Sequence, residues 1–227
     1  MTGNYNIGMG SGVFQLLSGT TTMSSSRNIG IGTYLYAFGN GGSMTGSGSN
    51  IGMGDTIYSF NKSNAQFSGY SNTGIGQGIF NLQNGDLIGN YNIGIGNALY
   101  TLNSGNMAGS NNIGIGQGSY YVQNGDITNN AKTNIALGNN IYRLNNITTS
   151  TFSGQRNIGI GEYLYSVSGN LSGNDNIGMG NFAFSVNGGS FTGGNNIGIG
   201  AWSLGTNNFS NADLSGDYNI ALGENSL

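Results

Sequence analysis

One pentapeptide, Asn-Ile-Gly-Ile-Gly, recurs along the whole chain, and that recurrence constrains the fold more than any other feature. Its leading asparagines are Asn6, Asn28, Asn50, Asn72, Asn92, Asn112, Asn134, Asn157, Asn176, Asn196 and Asn219. The eleven copies, some of them variants, lie 19 to 23 residues apart, so almost nothing falls outside the pattern. Self-similarity at such a period marks a repeat architecture, in which single units have too little apolar surface to fold alone and bury it by stacking. The 227 residues would fit two ordinary domains, but an unbroken repeat argues for one elongated domain over 1–227.

With the asparagine as position zero, position one is Ile in ten copies and Thr73 in the other. Position three is always Ile, Met or Leu. Position two is Gly, or Ala at Ala136 and Ala221, and position four is Gly in every copy. This alternation reads as a short strand. A Gly that never gives way to Ala, at position four, points to a positive φ or a very close backbone approach, whereas position two needs only a small residue. In a narrow coil, positions one and three are expected to fill the interior and the glycine strip to face outward. The strict asparagine is expected to form a ladder, satisfying backbone groups at a corner and stacking on the next coil.

A second strand is expected further on, in segments such as Leu35–Phe38, Ile57–Phe60, Leu99–Leu102, Ile141–Leu144 and Leu164–Val167. Its positions seven and eight are both mostly apolar, as in a strand covered on both sides. Asn-Gly turns follow, as at Asn84-Gly85. A third apolar point (Met44, Leu87, Met107, Ile127, Leu171, Phe191) precedes the next copy, and the variation in length falls in this loop edge. No stretch carries a helical period. The sum is all-β: a parallel β-solenoid of the β-roll kind, about eleven coils of 19–23 residues with two short strands each. One apolar stripe would be left over along the rod, which favours a homotrimer in which the spare faces meet.

Composition removes several classes of function. There is no His and no Cys, so Ser-His-Asp and Cys-His catalysis and the usual zinc sites are excluded. Asp55, Glu162 and Glu224 share position five in widely separated coils, so stacking brings no carboxylate pair together. No enzyme activity, metal or cofactor is expected. Five Lys and Arg against eight Asp and Glu cannot make a phosphate-tracking stripe, so no nucleic acid is expected. No apolar run approaches a membrane span, and no insertion is expected. Both ends fall inside a repeat, as expected of a piece of a longer protein.

The unit Gly89 to Leu102, Gly-Asn-Tyr-Asn-Ile-Gly-Ile-Gly-Asn-Ala-Leu-Tyr-Thr-Leu, resembles the YadA-like head repeats of trimeric autotransporter adhesins. It is closer to the long-coil version found in phage tail fibres and surface adhesins. All eleven copies carry the resemblance, with Gly in place of the usual Ala at position two. It implies a left-handed, homotrimeric roll, an extracellular or virion-surface location, and a cell-surface glycan or protein as partner. The expected function is structural: a rigid trimeric fibre segment that presents loops to a host-cell receptor. Candidate receptor-binding residues in the longest polar loops are Asn61, Lys62, Phe67, Asn207, Asn208 and Phe209. Trp202, with Tyr34, Tyr163 and Phe182 at position six, is a candidate sugar-stacking platform, while the aromatics of position eight read as packing. The alternatives are a self-assembling extracellular filament and an ice-binding solenoid; scattered Thr argues against the latter.

Overall fold

The computed structural model describes residues 3–13, 24, 26–34, 43–44, 48–56, 66–78, 89–98, 102–103, 109–118, 122–123, 126–127, 132–141, 151–165, 170–186, 189–205 and 213–226. The described residues are all-β. Each repeat contributes one strand to a single parallel sheet of eleven. The strands are Ile7–Ser11, Ile29–Thr33, Ile51–Asp55, Thr73–Gln77, Ile93–Asn97, Ile113–Gln117, Ile135–Asn139, Ile158–Glu162, Ile177–Asn181, Ile197–Ile199 and Ile220–Leu222. Each pairs only with the strands of the preceding and following repeats, which makes the chain a β-solenoid.

The register never slips. Ile93 lies on Ile113, Gly94 on Gly114 and Ile95 on Ile115, and the same alignment holds from the first pair to the last. Spacing along the chain varies, yet the sheet does not, so the connecting segments absorb every insertion. A one-residue slip would exchange the two faces of the sheet. It would also set a position-four glycine against a side chain.

Position four has both properties that the sequence suggested. Gly96 has φ 138° and Gly180 has φ 131°, a region L-residues rarely adopt. A Cβ on either would collide with the carbonyl oxygen of the glycine one rung on, Gly116 and Gly200 respectively. The residue before each asparagine is also left-handed, with φ between 55° and 62° from Tyr5 to Tyr218, and none of these eleven is a glycine. Such a backbone costs about 1–2 kcal/mol per residue and persists only where its surroundings hold it. Here a bond from the preceding rung holds it: Arg27 N–H donates to the Asn4 carbonyl and Asn111 N–H to the Asn90 carbonyl, both at 2.9 Å.

Among the described residues, the interior of the later repeats is filled by aromatic and aliphatic side chains. Tyr165 and Phe184, both at position eight, are fully buried and stack with centroids 5.0 Å apart and planes 5° from parallel. Phe191 packs obliquely against both rings, with Leu164, Leu171, Ala183 and Val186 also buried.

Three expectations change. First, the faces of the main sheet are reversed. The position-two glycines are buried from the second repeat on, and positions one and three point outward. The reason is space: a Cβ at Gly178 would lie 2.8 Å from Phe184 Cδ2 and one at Gly159 would lie 2.6 Å from Ile141 Cγ2, so the core leaves no room for a side chain the size of Ile. Second, the residues after position five do not extend as a four-residue strand where they are described. Tyr163 and Tyr165, and Phe182 and Phe184, have φ between 50° and 58°. That turn directs both position seven (Ile141, Leu164, Ala183) and position eight (Tyr165, Phe184) inward, and all five are fully buried. The second strand survives as a two-residue pairing of Leu102–Asn103 with Val122–Gln123. Residues 35–38, 57–60, 99–101, 142–144 and 166–167 of the expected second strand lie outside the described residues. Third, the expected loop edge carries a short ladder of its own. Ser43–Met44 pairs with Gln66–Phe67, Asp126–Ile127 with Thr151–Phe152, and Leu171 bridges to Phe191, which bridges to Leu214.

Candidate functional site

The asparagine column is the most regular polar feature. Each side-chain Oδ1 accepts from the backbone N–H of the next asparagine, through all ten steps from Asn6 to Asn219, at 2.8–3.2 Å. Nδ2 of Asn50, Asn72, Asn92, Asn134, Asn157, Asn176 and Asn196 donates to a carbonyl at the start of the following copy, as from Asn72 to Gly89 at 2.8 Å and from Asn157 to Gly173 at 2.7 Å. Asn28 to Asn196 are buried. A primary amide suits this site because it supplies an acceptor and donors on one short arm. The glycine three residues before the asparagine gives it access: a Cβ on Gly89 would lie 2.6 Å from Asn92 Nδ2. This column is architecture, with no group free to do chemistry.

The outward face is the feature that the sequence reading placed on the wrong side. Ile31, Met53, Ile75, Ile95, Ile115, Met179 and Ile199, all at position three, are 37–40% exposed. Position one lies beside it, half-buried from Ile29 to Ile197. A sequence signal did exist. Position two admits only Gly and Ala, whereas positions one and three admit Ile, Met, Leu and Thr. The tighter restriction belongs to the crowded interior.

The position-six aromatics form a second surface feature. Phe182 stacks between Tyr163, at 5.0 Å, and Trp202, at 4.2 Å, with planes within 6°. All three are partly exposed. Phe182 has a neighbour on each ring face, whereas Tyr163 and Trp202 each meet Phe182 through one face. Tyr34 is exposed and apart from this stack.

Asn61, Lys62, Asn207, Asn208 and Phe209 lie outside the described residues, and Phe67 is described only by its backbone pairing with Met44. The position-five carboxylates stay apart. Asp55 accepts from Thr56 Oγ1 at 3.1 Å, and Glu162 accepts from Asn139 Nδ2 at 3.3 Å, five rungs further on. At one strand spacing per rung that separation is about 24 Å, far beyond the ~5–10 Å of a glycosidase pair. Among the described residues no three His, Cys, Asp or Glu come together to hold a metal.

Among the displaced titrating groups, Asp175 and Tyr165 bear on the surface and the core. Arg156 donates from Nε and a terminal nitrogen to both oxygens of Asp175, each at 2.6 Å, on the exposed column before the asparagines. That fork holds the Asp175 carboxyl below its usual range, against a smaller opposing effect of burial. Burial pushes the Tyr165 hydroxyl well above the ordinary phenol value; the hydroxyl donates to the Ile158 carbonyl at 3.2 Å. It is a core group and has no access to a substrate.

No family model, curated protein or solved structure matches the chain.

Proposed function

We propose that this chain is a structural and attachment module: a rigid, homotrimeric fibre segment of a phage tail fibre or related surface adhesin, presenting its loops to a cell-surface glycan or protein. The observation that carries the reading is the constancy of the main sheet against the variability of what joins it. Ten successive pairings keep one register while the repeat length changes. A rod of constant build with variable edges is suited to projecting binding loops at a distance. Eleven rungs at one strand spacing make it about 50 Å long. Three equal copies raise avidity without new contacts in any one of them. The trimer and the host-surface role come from the resemblance of Gly89–Leu102 to adhesin and tail-fibre repeats.

The test is twofold. Light scattering on the purified chain gives three times the 23.4 kDa chain mass if the trimer is right, and the single mass if it is wrong. A fluorescent preparation retained on a panel of bacterial cells, and released by competition with unlabelled chain, supports attachment. Uniform failure to bind any cell surface leaves a spacer and removes the receptor role.

A further inference from the structure

We infer that the corner strip just ahead of the asparagine column, centred on Tyr70 and Tyr91, is a binding site for a neutral glycan. The inference rests on the attachment reading, and it puts the receptor contact on this rigid strip instead of on the loops.

The observation that carries it is an outlier of backbone and residue type together. The residue before each asparagine has φ between 55° and 62° in all eleven copies, a backbone that glycine adopts at no steric cost. The chain has 45 glycines, yet none stands here. Position six has the same left-handed backbone and does use glycine, at Gly12, Gly78 and Gly118. Ahead of the asparagines stand three Tyr, two Arg and one Thr, types for which a positive φ is unusual. Strain that the surroundings hold in place collects at functional sites. Here it is borne by side chains that reach solvent: Arg27, Tyr91, Asn111 and Thr133 are all exposed.

Tyr70 and Tyr91 are 41% and 52% exposed. Their rings meet edge to face, with centroids 5.1 Å apart and planes at 79°, so each keeps at least one face clear of the other. The strip beneath them is fixed. Tyr91 N–H donates to the Tyr70 carbonyl at 3.1 Å, Tyr70 N–H to Asn90 Oδ1 at 3.0 Å and Asn90 N–H to Ser110 Oγ at 3.2 Å. Those bonds use the side-chain oxygens and leave the Asn90 amide nitrogen and the Ser110 hydroxyl proton for a ligand.

The chemistry selects the ligand. Over the four rungs from Gly48-Ser49 to Ser110-Asn111, the two residues ahead of each asparagine are only Gly, Ser, Tyr and Asn. Hydroxyls and amides both donate and accept, and the rings add an apolar face. A sugar ring presents the matching pair, hydroxyls around an apolar C–H face. No Lys or Arg stands in this part of the strip to pair a carboxylate or sulfate. Rigid Tyr beside adaptable Ser and Asn is also the make-up of antibody binding loops, where it gives contact at low entropic cost. Four rungs by two residues cover about 14 Å by 7 Å, on the order of 100 Å². Each partner in a stable protein interface gives ~800 Å², so the footprint fits one or two sugar units. Such a site is weak alone, and several copies on one fibre supply the avidity.

The test applies the chain to immobilised oligosaccharides of neutral hexoses and N-acetylhexosamines, to sialylated and sulfated ones, and to intact bacterial cells. Retention on a neutral oligosaccharide is expected. Tyr91→Gly is expected to lower it at least tenfold with an equal or higher melting temperature, because glycine relaxes the φ of 57°. Tyr91→Asn, which also suits that φ, is expected to do the same without added backbone freedom. Asn195→Gly makes the same kind of backbone change on a distant rung and is expected to keep binding. Retention on sialylated or sulfated sugars alone overturns the ligand class. Equal loss in the Tyr91 and Asn195 variants, or loss in neither, overturns the site and leaves attachment standing. Cell binding that no sugar reproduces, and that protease treatment of the cells abolishes, means a protein receptor and overturns this inference alone. Binding to neither sugars nor cells removes the attachment reading with it.

Discussion

The backbone N–H of Asn157 donates to the side-chain oxygen of Asn134, 23 residues earlier, at 3.0 Å. Asn134 in turn donates from Nδ2 to Asn112 Oδ1 at 3.1 Å and to the Gly154 carbonyl at 2.8 Å. One buried amide therefore ties together three successive rungs. Asn134→Ala leaves a buried N–H and a buried carbonyl without this partner, and a stability loss of about 2–4 kcal/mol is expected from chemical denaturation. Asn134→Asp keeps the acceptor but buries a carboxylate facing two oxygens. Its folded pKa is then raised above the unfolded one, so its loss is largest at neutral pH and shrinks as pH falls towards 4. Equal losses at pH 4 and 7 would count against the ladder.

The two glycine columns are expected to answer differently to one methyl group. Gly180→Ala meets the Gly200 carbonyl and an unfavourable φ of 131°, and neither can give way without breaking the rung. A loss above about 3 kcal/mol, or failure to fold, is expected. Gly178→Ala meets the edge of the Phe184 ring, which can tilt, and Ala136 and Ala221 already occupy the equivalent place. Its loss is expected to stay below about 2 kcal/mol by the same denaturation measurement.

How much of this was legible in the sequence depends on what each residue type fixes. Asn and Gly gave the period, the strand, the register and the strained corner, because few other residues fit a buried amide ladder or a positive φ. Ile and Met did not give the direction of the face, because an apolar side chain is compatible with a core and with an interface. The inward turn of Leu164 and Tyr165 was hidden for a similar reason. Aromatic and branched residues favour a strand locally. The left-handed φ values of Tyr163 and Tyr165 depend on tertiary bonds, such as that from Tyr163 N–H to the Asn139 carbonyl at 2.9 Å. Among the candidate binding residues, Trp202 carries Phe182 against one face of its indole, a contact that the repeat pattern alone did not place.

That stack offers a spectroscopic prediction. Trp202 is the one tryptophan of the chain, and Phe182 covers it at 4.2 Å. Phe182→Ala is expected to shift its fluorescence maximum to longer wavelength and to increase quenching by acrylamide, with the β circular-dichroism signal retained. An unchanged emission maximum would mean that the rings are not stacked in solution.

The Arg156–Asp175 pair predicts a small pH dependence. The folded Asp175 pKa is depressed, so its contribution is present above the unfolded value of about 4 and is lost as pH falls through the folded pKa. Asp175→Asn is expected to lower the melting temperature slightly at pH 7 and low salt. The difference should shrink as pH falls below the unfolded value, and vanish at about 1 M salt because both groups are exposed and screened. A difference that persists in high salt would contradict a simple surface pair.

The stacking of rungs itself is tested most directly by distances between spin labels on the outward column at position five, with labelled chains diluted in unlabelled ones. Gln77 and Asn181 stand five rungs apart, and Ser11 and Asn181 eight. At one strand spacing per rung the backbone separations are about 24 Å and about 38 Å, and pulsed electron resonance is expected to return distances in that order and near that interval. Distances that do not lengthen in proportion to the number of rungs would contradict the solenoid.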